Sequence, residues 1–360
     1  MSLGEDKSPG PARDTQACSS CFTDRGLRLE AERLGIEDHS ACPNCGSQGG
    51  RKLDLPGLEQ LAHSFFVRGT FQRFEYGAAP AVVFNRSQTT SIGVAPWLES
   101  DVRLLERRLG VGFFHYGPRF WMFGEVEPLK ALLEPSSRAA ILERILKEYP
   151  GFKLTPEYLF YRLRLNPGTP HYPDQYDSPP PGVTGRGRLD AHRFPVLYGS
   201  PDLQLCIHEC RTSVEDEVFV ATLAPTRPIE VLDLTAILQE DVTEFESLDL
   251  AVQMLFLAGD HSYAVSRAIA QATKEAGFGG LLYPSYFSLL RTGGSPFETT
   301  YGISHRRIRQ LADSERAKIV PNIALFGRPI EDGVVEVRCI NRVVIRRADY
   351  DLSFGPAAIE

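Results

Sequence analysis

The chain has 360 residues, 42% of them hydrophobic and 10% aromatic, so it can bury a sizeable core spread over roughly two or three domains. Its formal net charge of −7 disfavours bulk electrostatic attraction to nucleic acid or to an anionic membrane. No apolar run approaches the length of a membrane span, and residues 1–16 are polar rather than signal-like. The sequence therefore predicts a soluble, cytoplasmic protein.

The N-terminal segment predicts a metal site. Met1–Gln16 is rich in Ser, Gly and Pro and is expected to be a disordered lead-in. Two Cys-x-x-Cys pairs follow, Cys18 with Cys21 and Cys42 with Cys45. Each pair directs two thiolates to one point, so together they predict a Cys₄ zinc ribbon. A closed shell of four sulfurs makes this zinc structural rather than catalytic, and the alternative is a coincidental set of reduced cysteines.

The next block, residues 51–152, predicts a mixed domain of helices and strands. Apolar periodicity predicts helices and an aromatic-rich strand region, at Leu58–Phe66, Leu98–Leu109, Ser136–Tyr149 and Gly112–Val126. The aromatic residues between 113 and 123 favour a hydrophobic core over a base-stacking surface, because no basic stripe accompanies them.

The stretch Arg186–Arg211 carries the clearest indication of a ligand site. It predicts a cationic turn, a strand at Pro195–Tyr198 and a helix with Ser200 as N-cap. Glu209 lies on the flank of that helix's apolar face, so we expect a carboxylate at the edge of a cleft, near arginines that suit an anion. The apolar face comprises Leu203, Cys206, Ile207 and Cys210.

The segments on either side predict further strands and helices. Strands are expected at Tyr158–Leu165, Val218–Leu223, Ile229–Leu234 and Gly279–Tyr283, and a helix at Asp260–Ala276 with Gly277 as its C-cap. Irregular segments are a proline-rich loop at Asn166–Thr184, a polar connection before residue 260, and a solvated basic loop and helix over 289–318. A hairpin-like region is expected from Asn322 to Val344.

Familiar catalytic motifs fail on spacing. Gly185–Asp190 lacks the third glycine of a dinucleotide fingerprint. Thr212 stands where a zinc-protease motif starting at His208 needs its second histidine. Ser285 lies in Tyr-Pro-Ser-Tyr, which is not a nucleophile elbow.

Short motifs resemble those of the RES domain, a family named for Arg, Glu and Ser positions, and they occur in the family's order. The resemblance covers roughly residues 155–350, and the cysteine-rich front end resembles a region attached to some RES domains. The motifs are Phe160–Arg162, Gly187–Asp190, Val196–Tyr198, Glu209, Val231–Thr235, Tyr283–Ser285 and Asn322–Phe326.

The resemblance implies an α+β, ADP-ribosyltransferase-like fold behind the zinc ribbon and the mixed domain. The expected divisions are a lead-in at 1–16, a zinc ribbon at 17–50, a mixed domain at 51–152 and the RES domain at 153–352.

The resemblance also implies residue roles. Arg162 and Arg188 are expected on the diphosphate or ribose, and Tyr198 against the nicotinamide side. Glu209 matches the catalytic carboxylate, and Ser285 the family serine that contacts the ligand.

The sequence departs from the family pattern at three places. Leu189 stands where an aromatic residue is usual, and Asp190 where asparagine is usual. An insertion follows Ser285, which leaves the role of this serine open. From periodicity alone, Glu209 is better explained as a helix-surface carboxylate paired with Arg211 or a neighbouring arginine, and it is the ordered set of motifs that favours the catalytic role.

RES proteins are associated with NAD⁺ breakdown, with water or inorganic phosphate as acceptor, and many are toxins silenced by a partner protein. The resemblance therefore implies NAD⁺ as substrate and an inhibitory, antitoxin-type partner, with a homodimer as the default assembly. One alternative is an ADP-ribosyltransferase that modifies a macromolecule. Another is an adaptor with an inactive RES domain, in which the zinc ribbon and the basic segment 305–318 bind nucleic acid or a partner.

Overall fold

A computed structural model describes residues 14–74, 77–116, 126–180, 182–183, 187–294, 298–300, 303–348 and 352–359. The predictions for Met1–Arg13, for the aromatic residues at 120–123 and for Arg186 lie outside the described residues. Within the described ranges, no helix is both long and apolar enough to cross a bilayer. The chain divides into two compact units, Met1–Arg73 with Ala78–Arg119 and Tyr350–Glu360, and Phe74–Gly77 with Phe120–Asp349.

The described part of the first unit contains three α-helices, α1 (Arg25–Leu34), α2 (Leu55–Ala62) and α3 (Pro96–Leu109). The Asp24 and Asp54 side chains cap α1 and α2 by accepting hydrogen bonds from the backbone N–H groups of Leu27 and Gly57, respectively. The α3 bounds confirm the predicted helix, whereas α2 ends earlier than predicted and continues as a wider turn, His63–Val67. A core that includes Phe22, Leu27, Phe65, Phe66 and Phe113 holds the helices together.

Short strands complete this part of the chain. They are β1 (Ala17–Cys18), β2 (Lys52–Leu53), β3 (Phe71–Phe74), β4 (Gly77–Pro80), β5 (Val82–Asn85) and β6 (Gly112–His115). They pair as three two-stranded sheets, β1 with β2, β3 with β4, and β5 with β6.

The second unit is a mixed α+β structure around two sheets. A five-stranded sheet has the order β7-β11-β12-β15-β9, and a three-stranded sheet has the order β16-β10-β8. The strands are β7 (Gly151–Leu154), β8 (Phe160–Leu165), β9 (Val196–Gly199), β10 (Val218–Pro225), β11 (Ile229–Asp233), β12 (Gly280–Pro284), β13 (Thr299–Thr300), β14 (Ile303–Ser304), β15 (Pro321–Phe326) and β16 (Val335–Val343). The helices are α4 (Glu127–Leu133), α5 (Arg138–Glu148), α6 (Leu203–Glu209), α7 (Leu248–Leu257), α8 (Tyr263–Glu275), α9 (Ser288–Thr292) and α10 (Ala312–Ala317).

The two sheets share a core, and the register places the other face of the larger sheet towards helices. Phe160 and Leu223 of the smaller sheet pack with Leu197, Leu282 and Ile323 of the larger one. Successive side chains of a strand point to opposite faces, so the neighbours of these residues lie on the face that α7 and α8 contact.

Three predictions for the part of this unit that follows Leu234 are wrong. The predicted polar connection contains α7, whose ten residues are all buried. The predicted terminal hairpin does not form, because β15 pairs with β9 and β12 while β16 pairs with β10. The segment 289–318 is not merely solvated, since Arg306 is 3% exposed.

The predicted domain boundaries remain predictions. The division by contacts places α4 and α5 in the second unit, whereas the sequence placed them in the mixed domain. It also places the cysteine pairs and α1–α3 together in the first unit.

A buried ion pair fixes the segment that precedes α10. Arg306 donates from Nε to Asp249 Oδ2 over 2.6 Å and from Nη2 to Asp249 Oδ1 over 2.9 Å. Burial alone would lower the pKa of Arg306, but the charge and hydrogen bonds of Asp249 outweigh burial and raise it. The pair ties this segment to the first turn of α7.

We expect Arg306→Met to lower the free energy of unfolding by about 3–5 kcal/mol, because it leaves the Asp249 carboxylate buried without its partner. Urea unfolding measures the change. The control is Arg338→Met, which removes a solvent-exposed pair with Glu336 and should cost at most about 1 kcal/mol. Equal costs for the two variants would contradict the assignment of a tightly coupled pair.

Candidate active site and metal centre

Four cysteines of the first unit converge on one point. Cys18 Sγ lies 3.9 Å from Cys21 Sγ and 3.6 Å from Cys45 Sγ, and Cys21 Sγ lies 3.6 Å from Cys42 Sγ. A tetrahedral zinc with Zn–S bonds of about 2.3 Å places its sulfurs about 3.8 Å apart. The positions of the four thiols therefore fit a zinc ion. The four cysteines belong to the two predicted Cys-x-x-Cys pairs.

The surroundings of the cysteines affect their ionisation. Burial raises the pKa of Cys18, and hydrogen bonds with the thiols of Cys45 and Cys42 add to the shift. Burial also acts to raise the pKa of Cys42, but the N–H groups of Cys45 and Asn44 and the thiols of Cys21 and Cys18 outweigh it and lower the pKa to about 7. A zinc ion would bind the thiolate forms, so its binding releases protons.

In the second unit, α6 carries Glu209 at its C-terminal residue. The predicted cap was wrong: Asp202, not Ser200, accepts the N–H of Leu205, over 2.8 Å. Ser200 instead donates its hydroxyl to Pro321 O over 2.9 Å. Arg291 donates to the Asp202 carboxylate at 2.8 Å, which fixes the start of the helix. The predicted apolar face is confirmed, since Cys206 is buried with Leu203, Ile207 and Cys210 packed against the same cluster.

The Glu209 carboxylate is held at one oxygen. Ser285 Oγ donates to Glu209 Oε1 over 2.6 Å, and Asn322 Nδ2 donates to the same oxygen, also over 2.6 Å. Within the described part of the chain, Oε2 has no hydrogen-bond donor, and Glu209 is an exposed residue. The carboxylate is therefore fixed in orientation yet open to a ligand, and it binds these two residues rather than Arg211.

The sheet register explains why the partners meet. Tyr283 and Asn322 are directly opposed on β12 and β15, and Ala324 is opposed to Tyr198 on β9. Asn322 and Ala324 are two residues apart, so Tyr198, Asn322 and Tyr283 share one face of the five-stranded sheet. Ser285 follows Tyr283 by two residues, at the end of β12. Glu209 therefore lies against this face of the sheet, where Asn322 contacts it.

Tyr283 lies on β12, the middle strand of the five-stranded sheet. Burial raises its pKa well above the ordinary value, and the nearby Glu209 charge and Tyr198 add to the shift while Arg188 opposes it. Tyr283 therefore lies near Glu209, Tyr198 and Arg188, which are distant from it in sequence. The Tyr283 ring also packs on Phe256 of α7, with ring centroids 5.1 Å apart.

The hydroxyl of Tyr198 is tied to the turn that precedes its strand. It accepts hydrogen bonds from the backbone N–H groups of Leu189 and Asp190, over 2.9 and 3.0 Å, and it donates a hydrogen bond to Asp190 Oδ1 over 2.9 Å. A Cβ at Gly187 would lie 1.9 Å from that carboxylate oxygen, so the turn needs glycine at this position. Asp190 thus keeps a structural role at the position where the family has asparagine.

Arg162 joins the two sheets. It is 5% exposed, and its Nη1 and Nη2 donate to Tyr198 O at 2.7 Å and to Asp177 O at 3.1 Å. Arg164 Nη2 also donates to Asp177 O, at 2.7 Å. Burial lowers the pKa of Arg162, and the neighbouring Arg164 charge adds to the shift. Both arginines fix the proline-rich loop that carries Asp177.

Arg188 lies at the C-terminus of α7. Its Nη2 donates to Ala258 O over 2.8 Å, its Nη1 to Leu255 O over 3.3 Å, and its guanidinium carbon lies 4.9 Å from the centroid of the Tyr263 ring. A cation at this end of a helix is favoured by the helix dipole. The ligand contacts predicted for Arg162, Arg188 and Tyr198 remain predictions, since each side chain is engaged by protein groups here.

The structure brings Glu209 and Ser285 into direct contact. Tyr198 shares a face of the sheet with Tyr283. Arg188 lies over the Phe256 ring, 6.0 Å from its centroid, and that ring packs on Tyr283. One partner of the carboxylate was missed by sequence reasoning, namely Asn322. The available signal was an amide side chain at the start of an otherwise apolar strand segment, Asn322–Phe326.

Comparisons with known proteins bear on this arrangement. No curated protein matches the chain. Among solved structures, the chain is similar to one from the crystal structure of the M. tuberculosis MbcT-MbcA toxin-antitoxin complex, at 14% sequence identity and a TM-score of 0.29, over 56% of this chain and 91% of that one. The model of the RES domain matches residues 159–295, which include Arg162, Arg188, Tyr198, Glu209 and Ser285. Over residues 159–295, the match to the RES-domain model confirms the resemblance that the order of the motifs predicts.

Proposed function

We propose that this protein degrades NAD⁺ by cleaving the bond between nicotinamide and ribose. One observation supports the proposal above all: an exposed carboxylate, Glu209, is fixed through one oxygen by Ser285 and Asn322 while its other oxygen remains open. The RES match over residues 159–295 is consistent with NAD⁺ as the substrate.

The chemistry requires a negative charge at a fixed place. When the C1″–N1 bond breaks, the electron pair leaves with the nicotinamide nitrogen and positive charge develops on the ribose, as in glycoside cleavage. Glu209 would stabilise that charge through its open oxygen, and the carboxylate would accept a hydrogen bond from a ribose hydroxyl. Nicotinamide departs as a neutral base, so no general acid is needed. The acceptor, water or inorganic phosphate, then bonds to C1″ and gives up a proton.

Ser285 and Asn322 act as positioning residues in this proposal. Their two hydrogen bonds hold the carboxylate against the sheet face, so it does not need to reorganise as charge develops. Arg162 and Arg188 would serve the diphosphate by exchanging carbonyl contacts for phosphate contacts.

Incubation of the full chain with NAD⁺, in buffers with and without phosphate, tests the proposal. We expect free nicotinamide in equal amount to ADP-ribose or its phosphorylated form, both identified by mass spectrometry. ADP-ribose attached to a macromolecule would instead support a transferase. Intact NAD⁺ under all conditions would contradict NAD⁺ degradation.

We also propose that the four clustered cysteines hold a structural zinc ion, since their spacing fits a closed tetrahedral shell. An inhibitory partner protein and a homodimer, both expected from the family resemblance and general precedent, complete the proposal. Co-purification with zinc tests the metal site, light scattering of the full chain tests the homodimer, and a protein that co-purifies with the chain and suppresses its NAD⁺ cleavage would test the inhibitory partner.

A further inference from the structure

Two side chains of α8 hold the backbone around Arg188. Arg267 donates two hydrogen bonds to the carbonyl oxygen of Gly187, from Nη2 over 2.7 Å and from Nε over 3.2 Å. The hydroxyl of Ser266, the preceding residue of the helix, donates to the carbonyl oxygen of Arg188 over 2.8 Å. The carbonyl groups on both sides of the Arg188 Cα atom are therefore fixed by one helix.

The next two residues of the same turn are fixed from the sheet. The hydroxyl of Tyr198 accepts hydrogen bonds from the backbone N–H groups of Leu189 and Asp190. Each of the four residues from 187 to 190 thus has a backbone group bonded to a side chain of α8 or β9. These contacts hold the backbone of the turn in one place relative to both elements.

The Arg188 side chain is held less firmly than its backbone. Its Nη2 donates to Ala258 O over 2.8 Å, and its Nη1 donates over longer distances to Leu255 O, at 3.3 Å, and to Ser262 Oγ, at 3.4 Å. Within the part of the chain that the structure describes, all of these acceptors are neutral oxygens. Hydrogen bonds from a guanidinium to an oxyanion are stronger, so a phosphate can replace these contacts while the backbone stays in place.

The second guanidinium, that of Arg267, lies near the first. The guanidinium carbon of Arg188 is 4.9 Å from the centroid of the Tyr263 ring, and that of Arg267 is 5.8 Å from the same centroid. An aromatic ring attracts cations, so Tyr263 helps to accommodate two like charges in a small volume. Both hydrogen bonds from Arg267 to Gly187 act on the backbone, which indicates that Arg267 acts through the turn that carries Arg188.

We propose that Arg267 is a positioning residue: by fixing the Gly187 carbonyl, it holds the backbone from which the Arg188 side chain reaches the diphosphate of the substrate. This inference rests on the proposed NAD⁺ cleavage. A backbone that is fixed before binding leaves less conformational entropy to be lost when the ligand is bound. The diphosphate does not react, so its contacts are equally present in the ground state and in the transition state. Their loss should therefore raise KM and leave kcat largely unchanged.

The test determines kcat and KM for NAD⁺ in Arg267→Met, in Arg188→Met and in the double variant. We expect Arg267→Met to raise KM about tenfold, the kind of loss that follows from a misplaced binding group, with kcat changed less than about twofold. Since Arg267 acts through Arg188, the double variant should have the KM of Arg188→Met alone. Single effects that multiply in the double variant would show that Arg267 acts independently, and would overturn the proposal.

The matched control is Arg138→Met, in α5. Arg138 also donates from Nε and Nη2 to backbone carbonyls, those of Leu132 over 2.7 Å and Leu133 over 3.1 Å, and it should leave KM unchanged. Arg267→Lys keeps a donor that can bond to the Gly187 carbonyl and should recover part of the lost affinity. Should the methionine variant fold poorly, Arg267→Gln repeats the double-variant comparison. A KM increase of equal size in Arg138→Met would overturn the positioning role.

A binding measurement separates this inference from the proposed function. ADP-ribose carries the same diphosphate but has no nicotinamide to lose, so calorimetry with it reports binding alone. We expect it to bind about tenfold more weakly to Arg267→Met, with no further loss when Arg188→Met is added. These results without turnover of NAD⁺ would support the positioning role and contradict NAD⁺ cleavage. Turnover with KM unchanged in Arg267→Met would overturn the positioning role and leave NAD⁺ cleavage standing.

Discussion

Glu209→Gln is expected to lower the rate of NAD⁺ cleavage by roughly 10²–10³-fold, the size typical for loss of one preorganised electrostatic partner of a transition state. The substitution removes a negative charge and little else. A glutamine Oε1 can still accept from Ser285 and Asn322, so the side chain keeps its anchorage. Because Glu209 is exposed, the melting temperature should stay within about 1–2 °C of wild type.

The measurement is steady-state release of nicotinamide, with kcat and KM determined separately. The loss should fall mainly on kcat, since the charge is needed after the substrate is bound. Glu215→Gln is the matched control, an exposed carboxylate six residues further along the chain. Activity near wild type in Glu209→Gln, with an intact fold, would remove the carboxylate from the mechanism and leave the RES assignment without its proposed chemistry.

Elements whose apolar pattern is strong could be predicted from the sequence. The strand at Gly280–Pro284 is buried on both faces and reads as a continuous apolar run. The helix Leu248–Leu257 has the same character, LDLAVQMLFL, but its all-round burial gives little amphipathic periodicity, so no helical stripe marks it. Its neighbours are polar, and they led to the prediction of a polar connection.

Long-range pairing could not be predicted from local pattern. β15 and β16 are consecutive strands with a short link, which favours a hairpin, yet each adds to a different sheet. Their partners, β12 and β10, lie far earlier in the chain. The choice depends on the core shared by the two sheets, which is a property of the whole unit rather than of the segment.

The candidate site was predictable to the extent that its motifs mark it. The resemblance assigns Glu209 and Ser285 to one site, and the two residues meet in the structure because a helix end and a strand end converge. Arg162 reads in the sequence as an edge charge or a ligand contact, and its burial between the sheets follows only from the register of β8 against β9. Asn322 was missed for the same reason: its role depends on lying opposite Tyr283.

The second large effect is expected in the first unit, where Cys42→Ser should abolish zinc binding and destabilise the unit. Structural zinc contributes roughly 10–16 kcal/mol of apparent binding free energy in small zinc modules, much more than a typical domain loses through a point substitution. Cys42 shares the site with Cys21 at 3.6 Å, so its loss opens the shell. Serine keeps the size of the side chain but is a poor zinc ligand.

The polypeptide around the cysteines shows why the loss should spread. Lys52 is 1% exposed and its Nζ donates to the carbonyls of Gln48, Gly49 and Gly50 over 3.1–3.2 Å, which holds the second cysteine turn against the strand pair β1–β2. Cys18 and Lys52 are paired residues of β1 and β2, so the strand pair links the first cysteine turn to the residue that holds the segment after the second. Loss of zinc would leave the four thiols to take up protons and would release both turns from their common ligand.

Metal analysis and thermal unfolding of the purified chain measure both effects. We expect the wild type to retain zinc through dialysis, to lose it to a strong chelator or on acidification, and to melt at a lower temperature afterwards. Cys339→Ser removes an exposed cysteine outside the cluster and should change neither zinc content nor melting temperature. A zinc-free wild type that melts together with Cys42→Ser would show that the four thiols are reduced cysteines without a metal, and that the carbonyl cage around Lys52 alone maintains the turn.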